Sequence, residues 1–181
     1  MLLHACCAPC SIGAVKYWCL NNMDVRLYFD NPNIHPTSEY LQRRDALRVW
    51  AKEAQLQLDE AAEPGFRSFF TAVVGNDAWE KPQRCALCYE LRLRKAAEFA
   101  LTNAESSFST TLLISPYQDH ELLRVIGERI AAEYSLAFAY GDLRPYYREA
   151  QAIAKELGLY RQRYCGCLCS EAEALANRSL S

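Results

Sequence analysis

Eight of the nine cysteines in this 181-residue chain fall within three short stretches: HACCAPCS (4–11), RCALC (84–88) and YCGCLC (164–169). Adjacent cysteines such as Cys6 and Cys7 do not pair readily with each other, because disulfide geometry is demanding. One of two neighbours also points away from any shared core. Sulfurs placed this way are better read as holding or transferring something. In RCALC, a C-x-x-C at a helix start lets both thiolates face one ion, and the helix N-terminus favours their charged state. Cys6, Cys7, Cys85 and Cys88 together offer four thiolates from two loops. That set suits an iron–sulfur cluster or zinc, and a purely thiol site is the third reading. Structural zinc prefers two C-x-x-C knuckles, which a Cys–Cys doublet imitates poorly.

YCGCLC differs in kind. Glycine between Cys165 and Cys167 is the residue flexible enough for the small ring that a C-x-C disulfide closes. Such a ring is expected to be strained, easily reduced, and therefore catalytic or regulatory. A third pair of metal ligands is the alternative, and Cys169 reads as incidental. Among nearby polar groups, His4 reads as a satisfied structural histidine, Asp30 and Asn31 as loop formers, and Asp142 as a group on the same rim or a helix cap. Cys19 reads as core on an apolar helical face.

The elements that must position these groups alternate between strand and helix. Strands are expected at 1–5, 25–30, 56–60, 107–114 and 136–142, and helices at 11–22, 39–55, 64–75, 85–104, 119–135 and 144–159. Thr37 or Ser38 is expected to cap the second helix, with Leu41, Leu47 and Trp50 on its buried face. This pattern implies one α/β domain over residues 1–181, a Rossmann-like parallel sheet flanked by helices. Sites in such sheets lie beyond the carboxyl ends of the strands. CCAPCS sits where a phosphate loop would, with thiols replacing glycines.

Composition narrows the class. Half the residues are apolar (51%) and 23% are charged, as in globular proteins. No apolar run approaches the roughly 20 residues of a membrane span. No signal peptide is read at the N-terminus, and the odd cysteine count argues against a secreted disulfide scaffold, so a cytoplasmic location is expected. Net charge is only −2, but fifteen arginines stand against five lysines. That bias suits bidentate contacts to phosphate, although genome composition also produces it.

Five segments, LLHACCAPCS, FDNPNIHPTSEYLQRR, RCALCYELRL, STTLLISPYQDHE and GLYRQRYCGCLCS, together resemble the epoxyqueuosine reductases of the cysteine-rich type. The likeness runs over almost the whole chain, in order. It implies an iron–sulfur oxidoreductase that reduces the epoxide of epoxyqueuosine at the tRNA wobble position to queuosine, drawing on an electron donor the sequence does not identify. It also implies that Cys6, Cys7, Cys85 and Cys88 ligate a [4Fe–4S] cluster and that Cys165 and Cys167 form a redox-active disulfide. Cys10 is left without a role in the four-ligand scheme; with Asp142 it is a candidate for a second, mononuclear metal ion (iron) or for the proton donor. His4 and Tyr164 are further candidates for the proton. A tRNA-thiolating enzyme is disfavoured because CCAPCS is no ATP loop, and a zinc module leaves C-G-C unexplained.

An anticodon-loop substrate needs cations for phosphate and flat groups for a splayed base. RRDALR, LRLR and LYRQRY supply cations, although each run by itself reads as an exposed helix face. Arg161, Arg163 and Tyr164 are the preferred contacts, with Tyr146, Tyr147 and Tyr160 as further π-faces.

Overall fold

The computed structural model describes residues 1–179. Five parallel strands form one sheet: β1 (Leu2–His4), β2 (Arg26–Phe29), β3 (Leu58–Glu60), β4 (Ser107–Thr110) and β5 (Ala137–Phe138), in the order β3-β2-β1-β4-β5. Leu3 of the central strand pairs with Leu27 on one side and Ser109 on the other. Leu2, Leu3, Leu27, Phe29 and Phe108 are fully buried, as expected of a parallel sheet covered on both faces.

Among the described residues seven helices flank the sheet: α1 (Ala8–Leu20), α2 (Thr37–Glu53), α3 (Phe66–Gly75), α4 (Gln83–Thr102), α5 (His120–Glu133), α6 (Tyr147–Glu156) and α7 (Leu168–Ser179). α1 packs with α2 and α6, while α4 packs with α3 and α5. Chain order therefore reverses between β1 and β4. β1 leads into α1 and β4 into α5, and their carboxyl ends bound the crevice where open α/β sheets bind ligands.

Several expectations need correction. The β-branched run 107–114 is strand only to Thr110, and Thr111–Ile114 turn into a 3₁₀ helix stabilised by Thr110 Oγ1 accepting from the Leu112 N–H. The last strand shrinks to two residues. Arg144–Tyr146 form a separate 3₁₀ turn before α6. Neither Thr37 nor Ser38 caps α2; the helix starts after Pro36 with no side-chain cap, and Thr37 is its first residue. Its inner face is Tyr40, Arg43, Leu47 and Trp50, whereas Leu41 is exposed. α7 was not expected at all, and Cys19 is exposed rather than core. Among the described residues no helix is long and apolar enough to cross a membrane.

Candidate functional site

The first sulfur group grows out of the end of β1. His4 is fully buried, with Nδ1 against Thr110 Oγ1 at 2.9 Å and Nε2 against the Asp30 carbonyl at 3.1 Å. Burial drives its pKa down to about 3, so the ring is neutral and serves as a strut, as its sequence context suggested. Cys7 then takes the N-cap position of α1 in extended conformation, and Pro9 lies in the helix's first turn. Cys10 follows Cys7 by three residues, which brings both side chains to one side of the helix. The result is a trio: the Sγ atoms of Cys6, Cys7 and Cys10 all lie within 4.8 Å of one another, all buried. Cys6 and Cys7 Sγ are 3.6 Å apart.

The thiols of this trio are shifted in opposite directions. Hydrogen bonds from Cys10 and Cys7, the nearby Arg92 charge and the Thr111 hydroxyl hold the Cys6 thiol well below its ordinary range. Thr111 Oγ1 donates to Cys6 Sγ at 3.3 Å and accepts from the Cys6 N–H at 3.1 Å. Cys10 is pushed up by its bonds to Cys6 and Cys7 and by burial, and Cys7 chiefly by burial. Thr111 owes its place to the strand turning into a 3₁₀ helix, a feature the residue pattern did not reveal.

The second group sits on α4. Cys85 and Cys88, one turn apart, face the same cavity, and Arg92 follows on that face one turn later. Burial raises the two thiols to about 11 and about 12, with neighbouring sulfurs adding to the effect.

The third group lies in the loop between α6 and α7. Two fully buried guanidinium nitrogens of Arg43 donate to the Tyr164 and Cys165 carbonyls at 3.0 and 2.8 Å. The Gly166 carbonyl accepts from the His35 N–H at 2.8 Å, and the Tyr164 hydroxyl donates to the His35 carbonyl. Gly166 is required twice over. Its φ is +149°, and a Cβ there would stand 2.9 Å from Asn33 Nδ2 and 3.1 Å from Ile34 Cγ1. Cys167 is buried, whereas Cys165 is exposed, with its sulfur 3.7 Å from the Gln118 amide. All nine cysteines are free thiols.

The three groups meet at one cavity of about 390 Å³, lined by Cys6, Cys10, Cys85, Cys88, Cys165 and Cys167. Arg163, Tyr164 and Tyr147 line it too, whereas Arg161 is exposed outside the lining. Asp142 does not line it: its carboxylate is bound to Arg144 at 2.7 Å by each oxygen, and that bond holds it down at about 2. Tyr160 is engaged with Glu39. Gln118, Gln162 and Asn33 were not anticipated. Gln162 was hidden inside LYRQRY, and its Nε2 lies 3.4 Å from Cys10 Sγ. Asn33 is 1% exposed with neither amide atom partnered, and it lines the cavity.

An all-sulfur donor set, buried except for the half-buried Cys85 and divided between two helix starts, fits a thiophilic metal centre. The lining carboxylate, Glu173, is occupied by Arg84 and Lys81. With its sulfurs at the point where the strand order reverses, the molecule falls in the class of α/β proteins with a thiol-rich cavity that could hold a metal.

A family model described as epoxyqueuosine reductase QueH matches residues 1–173. Proteins named epoxyqueuosine reductase QueH are similar over nearly the whole chain. That of Dehalococcoides mccartyi is 39% identical, covering 96% of this chain and 93% of its own, and that of Thermotoga maritima is 36% identical, covering 96% and 91%. Among solved structures, one described as a subunit of a tRNA methyltransferase from Methanocaldococcus jannaschii has a TM-score of 0.49 at 13% identity, covering 88% of this chain and 89% of that one. The chain belongs to the epoxyqueuosine reductase QueH family and is an oxidoreductase.

Proposed function

We propose that this protein reduces epoxyqueuosine to queuosine at the wobble position of tRNA, with Cys6, Cys7, Cys85 and Cys88 holding a [4Fe–4S] cluster and Cys165 and Cys167 acting as a dithiol–disulfide couple. The convergence of Cys6, Cys85, Cys88, Cys165 and Cys167 on one cavity, with Cys7 Sγ 3.6 Å behind Cys6 Sγ, carries this reading. Taking the oxygen out of an epoxide as water requires two electrons and two protons. A dithiol supplies all four: epoxide plus dithiol gives alkene, water and disulfide. An external reductant must then reopen the disulfide. A bound cluster would supply one-electron transfer beside that two-electron store.

The two cysteines of the couple suit unequal tasks. Cys165 is open to the substrate side, while Cys167 is buried and accepts from the Ser170 N–H at 3.4 Å. Cys10, a buried thiol beside Cys6 and Cys7 on the cavity lining, is the proposed relay for one of the couple's protons, regaining from the dithiol the proton it passes on. It is also the residue nearest at hand if a second, mononuclear iron binds. Arg163 and Tyr164, which line the cavity, and the exposed Arg161 are the proposed contacts for the anticodon loop's phosphates and for a base flipped from its stack. A tRNA substrate supports a cytoplasmic location.

The test is direct. Anaerobically reconstituted protein is incubated with an anticodon stem-loop carrying epoxyqueuosine and a chemical reductant, and the nucleosides are read by mass spectrometry. Loss of one oxygen from the modified nucleoside is expected. A brown, fully loaded protein that leaves the epoxide intact would sink the assignment.

A further inference from the structure

Three arginines are buried at this end of the molecule: Arg43, Arg84 and Arg92, each 1–2% exposed. Two have carboxylate partners. Arg43 pairs with Glu39 at 2.7 Å and Arg84 with Glu173. Arg92 has none within ion-pair distance among the described residues. One of its nitrogens donates to the neutral Asn31 Oδ1 at 2.7 Å, another reaches Cys88 Sγ at 4.0 Å, and Nε has no partner. Asp30, the nearby acid, is occupied by the Tyr28 hydroxyl, and burial raises its pKa. A guanidinium cannot shed its proton, and an unpaired charge in the interior is strongly unfavourable. The groups able to balance it are the sulfurs, which carry negative charge when they hold metal.

Resting on the metal-centre reading above, we propose that Arg92 is the resident counter-cation of the sulfur site. It neutralises part of the charge of metal-bound thiolates, and so strengthens metal binding and raises the centre's reduction potential. Geometry gives it a second task. Asn31 takes the Arg92 bond on its oxygen and donates its amide to the Ala5 carbonyl at 2.8 Å, one residue before Cys6. The chain Cys88–Arg92–Asn31–Ala5 thus ties the C-x-x-C helix to the Cys6–Cys7 loop and sets the span between the two halves of the ligand set. Arg92 is a positioning and tuning residue that touches ligands rather than substrate.

The experiment compares wild type with Arg92→Met, which keeps bulk without charge, and Arg92→Lys, which keeps charge without the planar fork. Metal-free protein is titrated with cobalt(II) under anaerobic conditions, following its thiolate charge-transfer absorption. The same three proteins, reconstituted with iron and sulfide, then undergo a redox titration. Arg92→Met is expected to bind cobalt at least about tenfold more weakly, because one nearby charge in a poorly solvated site is worth that much or more. Its cluster potential should move to more negative values, since removing a cation favours the oxidised form. Arg92→Lys should stay near wild type in both. Wild-type affinity and potential in Arg92→Met would overturn the proposal. So would equal losses in the Met and Lys variants, which mark a role in shape alone. If wild type takes cobalt yet assembles no chromophore from iron and sulfide, the cluster assignment fails while the cobalt titration still decides the role of Arg92.

Discussion

The Cys6–Cys10 segment and the Tyr164–Cys169 loop both carry sulfur to the same cavity, but they are built in opposite ways. The first is anchored by regular structure on both sides, β1 behind and α1 ahead, and its sulfurs are buried among each other. The second has no regular structure between Gln162 and Cys167, leaves Cys165 exposed, and is tied mainly through backbone carbonyls held by Arg43 and His35. Carbonyl bonds hold a loop's path while leaving its side chains free to change partners. The proposed ligand set would have to keep its geometry through every turnover, whereas the proposed redox couple would have to move between two covalent states. The difference in construction is the structural basis on which that division is proposed.

The sharpest break between the two regions comes from exchanging sulfur for oxygen in each. Cys85→Ser or Cys88→Ser should remove most of the broad iron–sulfur absorption and most of the iron. Cys165→Ser should keep both and abolish turnover. Trapping of thiols with and without prior reduction should show a two-hydrogen mass difference on the peptide that carries Cys165 and Cys167. Loss of the cluster in Cys165→Ser would merge the two regions into one ligand set.

Gly166→Ala comes next. The added methyl meets Asn33 and Ile34 in a backbone conformation that L-residues rarely adopt. A cost of about 1–3 kcal/mol is expected in urea unfolding, with turnover reduced and the iron content unchanged. An unaffected midpoint would mean the loop has more freedom than the structure shows.

Replacing Arg161 and Arg163 together by Ala should lower affinity for the anticodon stem-loop several-fold and reduce the dependence of log affinity on log salt by up to ~1.5 units. An unchanged slope would move the RNA surface elsewhere. The smallest effect is expected at Asp142. Arg144 depresses its pKa to about 2, so any stability from the pair is present above the ordinary carboxylate range and lost as pH falls through about 2. With the two side chains 45% and 49% exposed, solvent screening limits that contribution to a few tenths of a kcal/mol. Asp142→Asn should therefore leave both the urea midpoint and turnover near wild type. A tenfold fall in turnover would restore Asp142 as ligand or proton donor.

Residue type and spacing were enough to mark the sulfur-bearing stretches, the strand–helix alternation and the parallel sheet, because these are local properties: period, chain reversal and side-chain chemistry. What they left open depended on which groups the fold brings together. RRDALR and LRLR look alike as exposed basic runs, yet Arg43 and Arg92 within them are 1% exposed, one braced by Glu39 and the other facing sulfur. The second pattern, a guanidinium one turn beyond C-x-x-C, was visible in the sequence but not its burial. The trio formed with Cys10, the hydroxyl of Thr111 at Cys6 and the placement of Asp142 with Arg144 likewise required the tertiary structure. Each joins residues through distances and solvent exclusion, and neither quantity is encoded in a local window. The sequence by itself determined the chemistry available to this protein; the packing of β1, β4, α4 and the last loop around one cavity decided which sulfurs lie against one another and which cation faces them.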